Sequence, residues 1–335
     1  MKEKISDFSF LSVAYNHENY IIEHLESIKF LVNKYGANIC CDLIINDDFS
    51  TDQTVYLIDK WLAVNENLFH RVIKLYNEKN IGTCASVANM LKSVRTKNIK
   101  LTACDDVYSF ENIFNYANLN ADISIRSGVP LGIIDGKLLE NRIDIFNIIA
   151  SDKVYSNMPL LRRFQLLSNN NAPNIIYNCK YILNNNVLKF LSNYDVIEDW
   201  PIQIALAENY PESKFELVDK VFVYYRRTAG STYIVAQGRF YNDKINVYNY
   251  LIEKEDILFR KILLMNRLYL FKLGSKFANK FFNFSFYIYL LKVIIQSFQI
   301  ASFYKKSDFQ FACHEKHYDL IKQNADSVTK YIGRN

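Results

Sequence analysis

Three pairs of adjacent acidic residues are the side chains in this sequence best suited to chemistry: Asp47-Asp48, Asp105-Asp106 and Glu198-Asp199. The first two pairs directly follow apolar runs, where a carboxylate must be paired or lose its hydration. Hard oxygen ligands of this kind suit Mg²⁺ or Mn²⁺, which proteins often hold with one or two carboxylates plus substrate phosphates. Adjacent acids also repel each other, so one member of Glu198-Asp199 can have a raised pKa and act as a general base near neutral pH.

Each pair also has a simpler structural interpretation. Ser50 or Asp52 can cap the helix that follows the first pair, and the second pair can form a solvated turn. Acids in the first turn of a helix, ahead of Pro201, are favoured by the helix dipole alone, which would account for the third pair. These alternatives stay open while each pair is considered by itself.

The elements that position the first two pairs follow from the hydrophobic pattern of the first hundred residues. Four apolar runs predict β-strands, at residues 8–14, 40–46, 72–76 and 99–103. Three amphipathic stretches between them predict helices, at residues 20–31, 51–64 and 83–94. This alternation predicts a mostly parallel sheet covered by helices. Ligands bind beyond the carboxyl ends of such strands, so Tyr15-Asn16, Asp47-Asp48 and Asp105-Asp106 are expected at one edge.

The pattern changes after about residue 120. Short strands are predicted at 121–127 and 130–135, and residues 150–175 are interpreted as a long loop with a helical piece. A helix is predicted at 196–209, followed by a strand pair at 215–218 and 221–226. After about residue 235 the chain is expected to be helical to its end.

In their order and spacing, the motifs resemble those of the family 2 glycosyltransferases. The matching runs lie at residues 10–16, 44–52, 80–82 with Asn89, 100–106, 171–173, 197–201, and 225–227 with Gly230-Ser231. The resemblance covers about residues 8–235. It implies an α/β GT-A (Rossmann-like) domain at residues 1–235, with a mostly parallel sheet flanked by helices, and a basic-aromatic C-terminal helical extension at residues 236–335.

The resemblance also implies roles for individual residues. Donor binding falls to seven positions: Tyr15, Asn16, Asp48, Asn80, Asp105, Arg226 and Arg227. Among these, Tyr15 and Asn16 would lie against the nucleotide base, and Asp48 would accept hydrogen bonds from it. Asp106, together with Asp105, would bind Mn²⁺ or Mg²⁺. Asp199, with Glu198 as the alternative, would be the general base. One departure is that Cys104 stands where the family's D-x-D motif has its first acid.

The activity implied is an inverting, metal-dependent transfer of a sugar from a nucleoside diphosphate donor, taken as UDP-linked. The acceptor would be a carbohydrate or a lipid-linked molecule in bacterial cell-surface polysaccharide synthesis. A nucleotidylyltransferase is an alternative, but it would need a Gly-rich, basic loop where this chain has residues 15–19, Tyr-Asn-His-Glu-Asn. A catalytically inactive nucleotide-sugar-binding membrane scaffold is a second alternative, which Cys104 leaves open.

Charge and cysteine content narrow the remaining classes. The net charge of +5 is too small to indicate a nucleic-acid-binding surface. None of the six cysteines forms a C-x-x-C pair, so we interpret them as small apolar residues in a reducing compartment. No apolar stretch follows the charged first residues, so no cleaved signal peptide is expected. We interpret His17 and His24 as surface positions, and His314 and His317 as a solvated helix face.

The segment between Ile257 and Ser307 contains nine Lys or Arg residues, many aromatic residues and no Asp or Glu. On a helix, Ser285, Lys292, Gln296 and Gln299 share one stripe. A basic, aromatic, amphipathic segment is typical of a helix at a membrane surface. This predicts a cytoplasmic protein that is peripheral at the inner face of the cell membrane. Docking on the catalytic domain, a homo-oligomer contact and a membrane span are the alternatives.

Overall fold

The computed structural model of the chain describes residues 6–117, 122–166, 172–227, 236–307 and 309–332. The strands in these ranges are β1 (Ser6–Ala14), β2 (Cys40–Asp47), β3 (Arg71–Tyr76), β4 (Asn98–Ala103), β5 (Val107–Tyr108), β6 (Ile123–Ser127), β7 (Leu131–Ile134), β8 (Lys137–Leu139), β9 (Ile175–Asn178), β10 (Lys214–Leu217) and β11 (Val223–Arg226).

The first eight helices in these ranges are α1 (Ile21–Tyr35), α2 (Thr54–Asn65), α3 (Thr83–Ser93), α4 (Arg142–Tyr155), α5 (Leu160–Gln165), α6 (Cys179–Ile182), α7 (Asn185–Leu191) and α8 (Asp199–Asn209). The remaining helices are α9 (Gln237–Glu253), α10 (Leu258–Leu273), α11 (Lys276–Phe282), α12 (Phe284–Ile295), α13 (Ser297–Lys306) and α14 (Phe311–Ile332).

The main sheet has seven strands in the order β10-β6-β9-β4-β1-β2-β3. Strand β1 pairs in parallel with β2 and β4, β2 pairs in parallel with β3, and β6 pairs in parallel with β10. Only β9 runs antiparallel to its described neighbours, β4 and β6. The predicted α/β architecture, a mostly parallel sheet flanked by helices with a C-terminal helical region, is confirmed.

The central strands are buried on both faces, which is why they appear in the sequence as unbroken apolar runs. Alternate side chains of β2 point to opposite faces of the sheet. Leu43 and Ile45 pack in a core with side chains of α1 and α2, whereas Ile44 packs with side chains of α3, α7 and α8. The sheet is therefore the middle layer between two sets of helices, and its carboxyl edge stays open.

A second sheet, in the order β5-β11-β7-β8, packs beside the first. Strand β11 belongs to this sheet, whereas β10 is an edge strand of the main sheet. The predicted pairing of the 215–218 and 221–226 strands is therefore wrong. The two segments separate because β10 continues the main sheet beside β6, and β11 enters the smaller sheet between β5 and β7.

The predicted long loop at residues 150–175 is also wrong in part. Helix α4 runs to Tyr155, and α5 follows over Leu160–Gln165. The buried side chains of α4 include Ile145, Ile148, Val154 and Tyr155, which do not form a single stripe. A helix that packs on more than one side carries a weak amphipathic signal, so the sequence pattern does not indicate α4.

The described part of the C-terminal region consists of helices joined by short connections, as predicted. Its last helix, α14, returns to the main domain and packs against α1. Contrary to prediction, His314 and His317 are buried there, at 1% and 6% exposure. The Tyr224 hydroxyl lies 2.8 Å from Nδ1 of His314, and Nε2 of His317 donates to the Tyr108 carbonyl oxygen at 3.1 Å. Burial lowers the pKa of both imidazoles to about 4, so they pack as neutral groups.

Asn174 joins the two sheets. Its fully buried side chain accepts hydrogen bonds from the Phe222 and Val223 amides at 2.7 and 3.0 Å. Its own amide donates to the Val223 carbonyl oxygen at 3.0 Å. The residue stands directly before β9 in the main sheet, so these bonds fix β11 of the second sheet against the first.

We expect Asn174→Ala to lower the free energy of unfolding by about 3 kcal/mol, because it leaves buried backbone groups without partners. Chemical denaturation of the variant and the parent protein measures this. Asn67→Ala is the matched control, because Asn67 is exposed and its loss should change stability by less than about 0.5 kcal/mol. Equal losses for both variants would contradict the role given to Asn174.

Candidate active site

A cavity of about 590 Å³ lies at the carboxyl edge of the main sheet. Carboxylates from all three acidic pairs line it: Asp48, Asp105, Asp106, Glu198 and Asp199. The first comes from the end of β2, the next two from the turn after β4, and the last two from the start of α8. The parallel topology thus brings together acids that are up to 151 positions apart in the sequence (199 minus 48).

Asp48 lies on one wall of the cavity and is held by backbone amides. Its Oδ1 accepts from the Ile81 amide at 2.8 Å and from the Asn77 side chain at 2.9 Å, and its Oδ2 accepts from the Gly82 amide at 2.9 Å. The Asn80 side chain donates to the Asp48 carbonyl oxygen at 3.3 Å. These bonds tie the turn before α3 to the end of β2.

Gly82 is required in that turn for two reasons. Its φ of +88° is a conformation that side-chain-bearing residues rarely adopt. A Cβ at this position would also lie 2.3 Å from Oδ1 of Asp195 and 2.8 Å from a guanidinium nitrogen of Arg239. The backbone at Gly82 therefore packs directly against the side chains of Asp195 and Arg239, which form an ion pair.

That ion pair joins Asp195 to Arg239 of α9. The guanidinium makes a two-pronged contact with the carboxylate, with both N–O distances at 2.5 Å. It also donates to Oδ1 of Asn80 at 3.3 Å. Arg239 is the single Arg or Lys among the described residues that line the cavity. Nothing in the sequence pattern marked it, because it lies in a helix that has no recognised motif.

Asp106 has one buried carboxylate oxygen without a hydrogen-bond partner among the described residues. Its Oδ1 accepts from the Arg226 amide at 2.8 Å, whereas its buried Oδ2 has no hydrogen-bond partner among the described residues. Burial and the neighbouring Asp105 raise the pKa of Asp106 well above its usual range. Such a group gains stability from a cation or a proton beside the unpartnered oxygen.

Two buried basic residues lie behind Asp106. Nδ1 of His24 donates to the Asp106 carbonyl oxygen at 2.8 Å, and Nε2 accepts from the Ser12 hydroxyl at 2.8 Å. His24 is fully buried, so the prediction of a surface position is wrong, and burial lowers its pKa to about 4. Lys100 is also fully buried, donates to the Pro173 carbonyl oxygen, and has a pKa lowered to about 7 by burial.

Arg226 does not line the cavity. Successive side chains of a strand alternate, so Tyr225 of β11 faces the cavity and Arg226 faces α1. Its guanidinium pairs with Glu23 at 2.5 Å and donates from Nε to the Asp105 carbonyl oxygen at 2.7 Å. Arg226 therefore holds the turn that carries Asp105 and Asp106, and its charge is already paired.

Glu198 and Asp199 lie side by side at the start of α8 and are partly exposed to the cavity. Removal from bulk water, with the charge of Asp199 added, raises the pKa of Glu198 to about 8. Burial also raises the pKa of Asp199 from its usual value. The two carboxyls therefore titrate as a pair that retains a proton at a higher pH than isolated acids do.

Helix α9 also positions this acidic pair. Oδ2 of Asp243, which is buried, accepts from the amides of Asp195, Val196 and Ile197 at 2.9, 2.7 and 3.1 Å. These amides directly precede Glu198, so the carboxylate fixes the segment that leads into α8. The region after residue 235 thus takes part in building the cavity, which the sequence alone did not indicate.

The other predicted site residues occupy varied positions. Tyr15 and Asn80 line the cavity, whereas Asn16 and Arg227 do not. Asn16 accepts from the Thr51 amide at 2.9 Å and so connects the loops after β1 and β2, and Arg227 pairs with Asp144 at 2.9 Å. The motif positions Asn171, Gly230 and Ser231 lie outside the described residues.

Cys104 agrees with its interpretation as a small apolar residue, whereas His17 differs from its interpretation as a surface position. The Cys104 side chain is fully buried in the apolar core, where burial raises the pKa of its thiol well above the usual value, so it supplies no ligand to the cavity. His17 lines the cavity and is not a plain surface residue. Its buried Nδ1 has no partner among the described residues, and burial lowers its pKa.

The chemistry of this cavity is that of clustered oxygen ligands beside apolar walls. Within the described ranges, no group of three or more His, Cys, Asp or Glu side chains is arranged to enclose a metal ion. The unpartnered Oδ2 of Asp106, with Asp105 beside it, fits a divalent cation whose remaining ligands come from a bound phosphate or water. The apolar walls include Val13, Leu101 and Phe240, which can cover the flat part of a ligand.

Comparison with known proteins places this fold. No family model matches the sequence. Uncharacterized proteins of Mycobacterium bovis and Mycobacterium tuberculosis are 30% identical to it over 101 residues, which is 30% of this chain and 27% of each relative. The matched region therefore spans about a quarter of the length of those relatives.

Solved structures match over most of the chain. The crystal structure of S. aureus TarS 1–349 gives a TM-score of 0.54 at 18% identity, covering 82% of this chain and 74% of that one. The same fragment in complex with UDP-GlcNAc gives 0.53 at 19% identity, covering 82% and 75%. The Pyrobaculum calidifontis mannosyltransferase PcManGT, in complex with GDP-Man and Mn²⁺, gives 0.54 at 11% identity, covering 98% and 86%. This chain therefore has the GT-A-like fold of glycosyltransferases.

Proposed function

We propose that this protein is a glycosyltransferase that transfers a sugar from a nucleoside diphosphate donor to an acceptor hydroxyl. One observation carries the proposal: the acids that follow β2 and β4 and those that begin α8 converge in one cavity of a GT-A-like fold. Solved proteins with this fold include complexes with UDP-GlcNAc and with GDP-Man and Mn²⁺, which supports a nucleotide-sugar donor.

The donor half of the site is the wall formed by the β1, β2 and β4 ends. Tyr15 and Asp48 line this wall and would contact the nucleotide, with Asn80 and Arg239 beside them. Asp105 and Asp106 would hold Mn²⁺ or Mg²⁺, and the ion would supply positive charge that stabilises the departing diphosphate. Arg226 contributes by fixing the turn that carries these two acids. Arg239, whose guanidinium lines the cavity, is the arginine beside the donor.

The acceptor half is the wall formed by Glu198 and Asp199. Asp199, with Glu198 as the alternative, accepts the proton of an acceptor hydroxyl as that oxygen attacks the anomeric carbon. The bond from that carbon to the diphosphate oxygen breaks at the same time, and the configuration at the carbon inverts. The raised pKa of the pair suits a base that works near neutral pH.

We further propose that the donor is UDP-linked and that the acceptor is a carbohydrate or a lipid-linked molecule in cell-surface polysaccharide synthesis, used on the cytoplasmic side of the membrane. The carboxylates expected for catalysis are all present in the cavity, which favours an enzyme over an inactive nucleotide-sugar-binding scaffold. The loop after β1 lacks the Gly-rich, basic character that a nucleotidylyltransferase would need.

Calorimetric binding of UDP, GDP and CDP tests the donor assignment. We expect one nucleotide to bind in the presence of Mn²⁺. Asp106→Asn should weaken that binding at least about tenfold because it removes the negative charge of the carboxylate that would hold the ion, and EDTA should have the same effect because it removes the ion. Asp326→Asn, an exposed change on α14, is the matched control and should leave binding unchanged. Binding that is indifferent to Mn²⁺ would remove the metal role, and a folded protein that binds none of the three would overturn the proposal.

The acidic pair gives a prediction about pH. Because burial raises the pKa of both carboxyls, the ionised base is lost as the pH falls, and kcat/KM should decline at a higher pH than isolated acids would give.

Asp199→Asn should lower turnover by about 10²- to 10⁴-fold with donor affinity intact. Glu198→Gln should retain most of the turnover. The reverse pattern, with an ascending limb near pH 8, would assign the base to Glu198 instead.

Asp243 gives a test of how the base is positioned. Asp243→Asn should lower kcat by about 10- to 100-fold while donor affinity stays within about twofold, because the segment leading into α8 loses its anchor. Asp256→Asn, an exposed acid just after α9, is the control. Circular dichroism confirms that both variants fold. An unchanged kcat in the folded Asp243→Asn variant would contradict the positioning role.

A further inference from the structure

Exposed apolar side chains are concentrated in one part of this chain. Of the 29 large hydrophobic residues that are exposed in the described ranges, 18 lie between Ile257 and Phe298. These 18 side chains, on and just before helices α10 to α13, are called the C-terminal apolar face below. Exposed apolar side chains in such numbers mark interaction sites on soluble proteins.

Helix α12 shows that this exposure is not incidental. Tyr289 is buried where α12 packs on α4, and Lys292 and Gln296 of the polar stripe are also partly buried on the protein side. Leu291 and Ile295 point outward at 60% and 73% exposure. The helix is thus inverted relative to a surface helix of a soluble protein, which turns its polar stripe to water.

The partial burial of Lys292 and Gln296 has an energetic cost, which also indicates that the outward surface is not meant for water. Oε1 of Gln296 is buried without a hydrogen-bond partner among the described residues. The Lys292 ammonium lies 5.6 Å from the centre of the Tyr155 ring, on the protein side of the helix. Water would satisfy the polar groups of Lys292 and Gln296, but they lie on the protein side. On α13, just after them, Phe298 is instead 84% exposed. The outward surface is therefore suited to an apolar environment.

Within the described ranges, five exposed lysines lie on or beside the helices that carry this face. Exposed lysines occur on or beside α10, α11 and α13: Lys272, Lys276, Lys280, Lys305 and Lys306. No Asp or Glu occurs from Ile257 to Ser307. Long lysine side chains can lie along apolar surface with the charge at its margin, and these five lysines are called the cationic rim below.

Charge decides between the occupants that could cover such a face. A second copy of the same face would place its lysines against these lysines, with no acid in the segment to pair them. An anionic lipid surface offers the opposite charge and takes the apolar side chains into the boundary between headgroups and acyl chains. Charge complementarity therefore favours a membrane surface.

Helix length decides how the chain would meet the membrane. Among the described residues, no single helix has the length and apolar character needed to cross a bilayer. The pair α12 and α13 passes that test together by length and composition, but the two helices are bent by 70° at their junction. At 12 and 10 residues they are about 18 and 15 Å long, against a hydrocarbon core of about 30 Å. A bent pair of short helices fits the plane of an interface.

We propose that the C-terminal apolar face binds the surface of an anionic membrane, with the exposed side chains of α10 to α13 inserted at the headgroup level. The cationic rim contacts lipid phosphates and anionic headgroups. Helix α9, which supplies Arg239 and Asp243 to the cavity, packs against α10 of the face, so membrane binding would bring the cavity toward the bilayer. The proposal stands on this surface alone and does not need the transferase activity.

Vesicle co-sedimentation of the full chain, without any donor or metal, tests the proposal. The probes are phosphatidylcholine vesicles with and without phosphatidylglycerol. We expect clear binding only to the vesicles that contain phosphatidylglycerol, and weaker binding as salt concentration rises, because the charges lie at the surface. Equal binding to both kinds of vesicle, or no binding to either, would overturn the proposal.

Matched variants locate the contact. Leu291→Gln combined with Ile295→Gln should weaken vesicle binding at least about tenfold, because it removes inserted apolar side chains. Val64→Gln combined with Tyr331→Gln removes equally exposed residues elsewhere and should have no effect, since they are 65% and 63% exposed. Lys276→Gln combined with Lys280→Gln should weaken binding by about fivefold for each lysine. Equal effects from the two apolar pairs would overturn the proposal.

Two measurements address the other occupants. Light scattering without vesicles should show that Leu291→Gln with Ile295→Gln leaves the oligomeric state unchanged, and dispersal of an oligomer by this variant would assign the face to a second copy. Protein bound to vesicles should be released by high salt or alkaline carbonate. Resistance to both treatments would indicate a membrane span and contradict binding at the interface.

Discussion

The structure depends on how it accommodates several carboxylates in one cavity. Five acids among the described residues line that cavity, and their mutual repulsion would push the surrounding segments apart if nothing held them. Backbone amides do most of this work: those of Ile81 and Gly82 hold Asp48, and that of Arg226 holds Asp106. Because amides are fixed by the strands and turns around them, the charge cluster and the fold stabilise each other.

The basic side chains around the site are already paired with acids or are buried. Arg226 is paired with Glu23, Arg239 is paired with Asp195, and Lys100 is buried with a pKa lowered to about 7. The unpartnered Oδ2 of Asp106 and the acidic pair at the start of α8 therefore keep an unmet demand for positive charge or protons. A metal ion beside Asp106 would supply the missing positive charge there, and a shared proton would supply it between Glu198 and Asp199. These two places correspond to the donor and acceptor halves of the proposed reaction.

The helical region after residue 235 contributes both to the cavity and to the exposed apolar surface. Helix α9 faces the cavity, where Asp243 anchors the segment before Glu198 and Arg239 reaches toward Asn80. Helices α10 to α13 carry the C-terminal apolar face and dock through other, buried side chains. Leu264 of α10 packs in the core that includes α8, and Tyr289 and Ile300 pack in the cluster that includes α4. Helix α14 then returns to α1 and buries two neutral histidines. The boundary proposed at residue 235 stays a prediction, but the region beyond it helps to build the cavity.

The sequence by itself determined the central sheet and the positions of the acids, because buried parallel strands leave continuous apolar runs and their carboxyl ends must meet at one edge. It did not reveal α4, which packs on more than one side, or the separation of β10 from β11, which depends on neighbours far away in the chain. Only the tertiary structure decided that Arg226 faces α1 and that Arg239 faces the cavity, because strand alternation and helix docking settle which way a charge points. The same holds for α12, whose sequence shows two stripes but whose docking on α4 decides that the apolar stripe is the one left exposed.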